Sequence, residues 1–367
     1  MKARTDFRLA AAICILAISL AGAPQYAAVA GETRSLTVAI PTEPDIYIQD
    51  QYWPSLTVGE MNADVAYNPD DDEYLVVFDW DYFGADDRDV MFVAVTADGG
   101  ISPMPLEVVV DPAWDDSNPA VAYNADDGNY MVVWERRDAS NVGQIFGCIV
   151  TGHVADVPFP IKVGGADHLA PDVAYAPGAG RYLVVWEDHG AGWTVPPDID
   201  SVSYDGAGEN GEYLHIAPDP VSVSGAQTNP AVAAHGTAPH WLVVWEDSRS
   251  EATTGIRVWA QQVEWNGLSL DLFRSAVAVG APVGDADSPD VAWGQTGGPG
   301  GEYLVAWIER VLGDRVLAER LDGTTANLGD TSLVSNYEGS GKFDPAVVFA
   351  SSSNAWWTVW ADDREYG

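Results

Sequence analysis

The chain repeats one unit six times, and a repeat of that length leaves few folds open. One copy reads Asn118-Pro119-Ala120-Val121-Ala122-Tyr123, then a turn, then Tyr130-Met131-Val132-Val133-Trp134-Glu135. Another reads Pro171-Asp172-Val173-Ala174-Tyr175, then Tyr182-Leu183-Val184-Val185-Trp186-Glu187-Asp188. A third is Asn229-Pro230-Ala231-Val232-Ala233, then Trp241-Leu242-Val243-Val244-Trp245-Glu246-Asp247, and weaker copies begin at Asn62, Ser288 and Asp344. The aromatic that closes the second run falls at Phe78, Trp134, Trp186, Trp245, Trp307 and Trp360, with separations of 56, 52, 59, 62 and 53 residues.

Each unit holds about four β-runs bounded by turn residues. The third runs are Val90–Val95, Gln144–Val150, Ile256–Val263 and Arg315–Leu321. Asp98-Gly99, Asp205-Gly206, Asn266-Gly267 and Asp322-Gly323 then supply the positive φ of tight hairpins. Fourth runs follow at Glu107–Val110, Phe159–Val163, Val221–Ser224 and Ser332–Ser335. No helical periodicity is sustained beyond the leader. Four-stranded units repeated radially predict an all-β, six-bladed β-propeller. The sixth copy ends after two strands, and Asp45-Ile46-Tyr47-Ile48 and Ser55-Leu56-Thr57-Val58 resemble the missing third and fourth. The N-terminal strands are therefore expected to complete the last blade, leaving no sheet edge open.

The Pro-Ala-Val-Ala-Tyr…Tyr-Leu-Val-Val-Trp-Glu-Asp unit resembles repeats of large secreted bacterial proteins, mostly of undefined function. Its strand order also resembles the TolB-like six-bladed propellers, whose Pro-x-Trp-Ser-Pro-Asp-Gly signature is absent here. The Asp-box of sialidase-type propellers is absent too. The resemblance spans nearly all of residues 35–367 and implies fold alone.

Residues 1–30 read as a signal peptide. Lys2, Arg4 and Arg8 precede an apolar run, Leu9–Leu20, and Ala28-Val29-Ala30 fits a cleavage site, leaving a single propeller domain over 31–367. The mature chain is expected to be secreted or extracytoplasmic (periplasm or cell surface), with no membrane insertion after cleavage. Cys148 is then the only cysteine and belongs on the third strand of unit two, buried as a free thiol. The net charge of −38 argues against nucleic acid and anionic lipid as partners, and suits either solubility or cation binding.

Successive loops of an antiparallel meander alternate between two ends of a blade. One face thus collects Asp79, Glu135, Glu187, Asp188, Glu246, Asp247, Glu309, Asp115 and Asp116, with Arg136, Arg137, Arg249 and Arg310 among them. The acids that follow each aromatic suit turn and blade-to-blade hydrogen bonding, or a ligand. The repeated tryptophans suit the gaps between sheets. Nonrepeating aromatics and their neighbours on this face (Trp80, Asp81, Tyr82, Phe83, Trp114, Asp115 and Trp193) form a candidate carbohydrate-binding patch, or fold back as rim anchors.

The residue before each Val-Ala pair (Val-Val in the sixth copy) alternates as Asp64, Ala120, Asp172, Ala231, Asp290 and Ala346. First strands line a propeller's channel, so Asp64, Asp172 and Asp290 are expected at one height, as calcium ligands or bonded to nearby backbone. Histidines are scattered, and no nucleophile turn or phosphate loop is present. Three readings stay open. The leading one is an exported non-enzymatic propeller binding an extracellular glycan or protein ligand, with calcium. The alternatives are a carbohydrate-active hydrolase or lyase using acidic-face carboxylates, and a structural cell-surface or assembly component.

Overall fold

The computed structural model describes residues 60–362, apart from 82–87, 98, 102–105, 110–113, 138–139, 191–195, 217–224, 250, 281–283, 297–299, 312, 324–330 and 336–340. Blade one is β1 (Glu60–Asn68), β2 (Glu73–Asp81), β3 (Arg88–Thr96) and β4 (Leu106–Val109). Blade two is β5 (Asp115–Asn124), β6 (Asn129–Arg137), β7 (Gly143–Thr151) and two short outer strands, β8 (Val154–Ala155) and β9 (Phe159–Lys162), both paired to β7. Blade three is β10 (His168–Ala176), β11 (Arg181–Asp188), β12 (Asp198–Tyr204) and β13 (Asn210–His215). Blade four is β14 (Gln227–Ala234), β15 (His240–Asp247), β16 (Arg257–Trp265) and β17 (Leu270–Ala278), with one helical turn, α1 (Glu251–Thr254), between β15 and β16. Blade five is β18 (Asp285–Gly294), β19 (Glu302–Arg310), β20 (Asp314–Asp322) and β21 (Ser332–Leu333).

Every blade is an antiparallel meander, and successive first strands lie side by side as in a β-propeller. The count differs from expectation. Five blades are complete, and the sixth unit contributes the two-stranded sheet β22 (Lys342–Ala350) and β23 (Ala355–Asp362). The segments expected to complete it, 45–48 and 55–58, lie outside the described residues, as does the leader. A second difference concerns blade three, whose fourth strand is Asn210–His215, while the expected Val221–Ser224 lies outside the described residues. Asp205 Oδ1 accepts the Ala207 and Glu209 amides, and Gly208 takes φ 77°, so the hairpin closes early. The strand that follows is polar because an outer strand keeps water on one side, and β-branched composition overlooks it.

One local device recurs at the start of every first strand. Asn62, Asn118, Ala170, Asn229, Ser288 and Asp344 have φ of 50°, 51°, 50°, 51°, 50° and 42°. At each of them the register against the second strand slips. These are β-bulges, which explains the following proline in five of the copies: a bulged residue owes no ladder hydrogen bond. Asparagine tolerates the left-handed region better than most residues, which explains its recurrence.

The repeated aromatics fill the seams between blades, as expected. Trp134 packs with Leu75, Val77 and Phe92 of blade one. Trp186 packs with Ile145 and Ile149 of blade two, Trp245 with Leu183 and Val185 of blade three, and Trp307 with Leu242 and Val244 of blade four. Trp360 packs against Leu304 and Val316 of blade five. Cys148 is a fully buried free thiol in the first of these seams, its pKa pushed up to about 12 by burial. Trp245 is fully enclosed, so Trp245→Ala is expected to cost about 3–5 kcal/mol in equilibrium denaturation. A loss below about 1 kcal/mol would mean that the seam does not hold the blades.

Candidate functional site

The alternating aspartates lie two residues beyond the bulges, where each first strand resumes its pairing with the second. Asp64 Oδ2 accepts the Val121 amide at 2.8 Å, Asp172 Oδ2 the Val232 amide at 2.7 Å, and Asp290 Oδ2 the Val347 amide at 2.7 Å. Each bond crosses from an odd blade to the following even one. The accepted amide belongs to the residue after Ala120, Ala231 or Ala346, so the methyl group of alanine leaves the approach open. Alternation is thus a complementarity: a carboxylate in one blade requires a small residue in the next. The three repeats of one geometry hold the three aspartates at equivalent positions of their first strands, all half-buried.

These carboxylates sense one another. Burial, the charge of Asp64 and the charge of Asp290 raise the Asp172 pKa to about 7, against the lowering effect of the Val232 and Val173 amides. Asp172 Oδ1 accepts the Val173 amide at 2.8 Å. No group of three or more His, Cys, Asp or Glu among the described residues is arranged to hold a metal ion.

A second ring of acids closes the same face. Asp79 Oδ2 accepts from Asn62 Nδ2 of its own blade at 2.7 Å and from the Asn118 amide of the next at 3.2 Å. Glu246 Oε1 accepts from Asn229 Nδ2 at 2.7 Å and from the Ser288 amide of the next blade at 2.7 Å. Glu187 Oε1 accepts the Asn229 amide at 2.7 Å, and Glu135 Oε2 accepts from Asn118 Nδ2 at 3.0 Å. Asp79 and Glu246 thus each clasp the bulges of two adjoining blades. Burial raises Asp79 to about 6 and Glu246 to about 7. Arginines pair with acids of this face: Arg88 with Asp115, Arg136 with Asp116, Arg137 with Glu135, Arg249 with Asp247 and Arg310 with Asp287.

Of the expected aromatic patch, only Trp80, Trp114 and Asp115 have side chains among the described residues. Trp80 is 6% exposed and packs with Phe78 and Met91 in blade one, offering no ring face to a ligand. Trp114 is half-buried beneath Arg136, whose guanidinium lies 5.7 Å from its ring centre, so it anchors the rim. Asp115 accepts from Arg88 Nε at 2.8 Å and Nη2 at 2.7 Å. Asp81 ends β2 opposite Arg88, and Tyr82, Phe83 and Trp193 lie outside the described residues. A group that the sequence did not disclose lies instead between blades two and three: Lys162, His168, Asp188, Asp200, Tyr213 and His215. Its one legible trace is His168, which stands where other copies have Asp116 or Gln227.

No protein-family model matches the chain, and a search of curated proteins found no match. Among solved structures, an α-L-arabinanase of Penicillium chrysogenum complexed with arabinobiose is similar at 11% identity and a TM-score of 0.56, over 81% of this chain and 86% of that one. The GH93 α-L-arabinofuranosidase of Fusarium graminearum aligns at 10% identity and 0.56, over 80% and 85%. A Dyadobacter fermentans protein of unknown function aligns at 10% and 0.56, over 78% and 86%. Likeness at these identities is one of fold. The chain is an all-β propeller of four-stranded blades.

Asp79, Asp172 and Glu246 have folded pKa values of about 6, 7 and 7, above their ordinary values of 3.8, 3.8 and 4.5. Between those limits the folded chain holds protons that the unfolded chain has shed. Their contribution to stability is complete below the ordinary values and is lost as pH rises through about 6–7. The melting temperature of Asp172→Asn should therefore fall less than that of the parent between about pH 4 and pH 8. Parallel curves would show that Asp172 holds no extra proton.

Proposed function

We propose that the chain is an exported glycan hydrolase whose reacting carboxylates are Asp64, Asp172 and Asp290 at the channel mouth. The observation that carries this reading is the pairing of unlike carboxyl groups: Asp172 keeps its proton to about pH 7 while facing the negative charges of Asp64 and Asp290. Glycosidic cleavage asks for that division, with one carboxylic acid protonating the leaving oxygen and one carboxylate assisting water or the sugar carbon. In this reading Asp172 is the acid, and Asp64 or Asp290 supplies the carboxylate. Both solved enzymes named above act on arabinose-containing glycans by their names, which supports a neutral glycan as substrate. Export rests on the basic start and apolar run of residues 1–30, and no helix among the described residues is long and apolar enough to cross a membrane.

Asp172→Asn keeps an oxygen that can accept the Val232 amide but has no proton to give. It is expected to lower turnover of arabinan or another neutral polysaccharide by about 10²–10⁴-fold while the protein stays folded. Unchanged turnover would remove Asp172 from the chemistry. The non-enzymatic binding reading is favoured by a specific observation as well, since all three aspartates already bond backbone amides. Saturable sugar binding with no turnover by the parent protein would support it. A melting temperature raised by calcium in the parent and not in Asp172→Asn would make the three aspartates a cation site instead.

The ring in this proposal has six blades, residues 45–58 supplying the outer strands of the last. Among the described pairings β23 bonds only β22. Deleting residues 46–58 should then expose a sheet edge and lower the unfolding free energy by several kcal/mol. Melting identical to that of the mature chain would rule out closure by this segment.

A further inference from the structure

The seam between blades two and three carries a polar group that neither the channel nor the clasps employ. On the face of blade three that meets blade two, Trp186 and Asp188 of β11 stand opposite Asp200 and Asp198 of β12, and Asp200 stands opposite His215 of β13. Lys162 reaches across from β9, its Nζ 3.1 Å from Asp188 Oδ2 and 4.9 Å from the Tyr213 ring centre. Asp200 accepts from Tyr213 Oη and bonds His215 Nδ1.

Two enclosed groups in this seam have no hydrogen-bond partner. Trp186 is 0% exposed and its Nε1 is unpaired. The tryptophans at the same position in blades two and four donate to Asp116 at 2.8 Å and Asp247 at 3.2 Å. Blade three has replaced the first acceptor with His168, and its Asp188 is engaged by Lys162. His168 is 3% exposed, and its Nδ1 lies 3.5 Å from Asp188 Oδ2 without forming a hydrogen bond. Burying an unpaired polar group is costly, so two in one seam, at the place where the repeat departs from itself, mark a position for an oxygen supplied from outside.

We propose that this seam is a binding subsite for a neutral sugar unit. A hydroxyl oxygen accepts from Trp186 Nε1, and hydroxyl protons go to Asp188 and Asp200. Tyr213, 49% exposed, packs against a C–H face of the ring. Asp188, Asp198 and Asp200 outweigh Lys162 and His215 in charge, so an acidic sugar is repelled. The subsite goes beyond the proposed hydrolysis and stands whether or not the channel carboxylates cleave anything.

The test is calorimetric titration of the full chain with arabinobiose, xylobiose and cellobiose as neutral probes and galacturonate as the charged one. At least one neutral disaccharide should bind saturably, and about tenfold more weakly to Tyr213→Ala. Lys162→Met, which keeps the aliphatic stem, is a second variant that should also weaken binding in a folded protein. Equal affinity in the parent, Tyr213→Ala and Lys162→Met would overturn the subsite. So would preference for galacturonate, or no binding of any neutral probe. Loss of turnover in Asp172→Asn with seam binding intact leaves the two proposals separately decided.

Discussion

A carboxylate held out of water at the end of a blade's second strand ties that blade to the next. The bulge at the start of each first strand turns a backbone amide away from its own ladder, and that amide needs an acceptor. Asp79, Glu187 and Glu246 supply it from the preceding blade, and Asn62 and Asn229 steady the same acids from their own. Propeller blades share no backbone ladder with one another, and Cys148 is a free thiol, so such side-chain bonds and the aromatic seams carry the ring. The cost is visible in the acids themselves: burial pushes Asp79 to about 6 and Glu246 to about 7.

The same bulge decides what the channel contains. Two residues beyond it, an aspartate in an odd blade finds an amide left open by an alanine in the even one. Three carboxylates then share the channel wall, and mutual repulsion adds to burial in holding a proton on Asp172. Structural bonding and proton chemistry are therefore properties of one arrangement. A propeller that fixes its blades with acids thereby acquires a buried carboxyl group, Asp172, that keeps its proton to about pH 7.

Where one blade departs from the repeat, the general solution fails and something particular replaces it. Blade three has alanine at the bulge, histidine where blade two has Asp116, and an early hairpin that brings Tyr213 and His215 over Asp200. The indole N–H that blades two and four satisfy internally is left without an acceptor. Repetition keeps the ring together, and its local failures are where a surface acquires specificity.

The sequence by itself determined the repeat, the strand order, the seam aromatics and the burial of Cys148. All of these follow from periodicity, because equivalent residues in equivalent units meet equivalent surroundings. It pointed to blade-to-blade bonding by the acids after each aromatic, without saying which amides they take. Only the tertiary structure showed that Asn62 and its counterparts are left-handed bulges, that alanine is the partner of aspartate in the alternation, and that Trp80 lies buried while Trp114 lies beneath Arg136. Nor did the sequence disclose that Lys162 and His215, 53 positions apart, close on one pair of aspartates. Those facts depend on which neighbour a side chain meets across a seam, and a seam joins residues that periodicity counts separately.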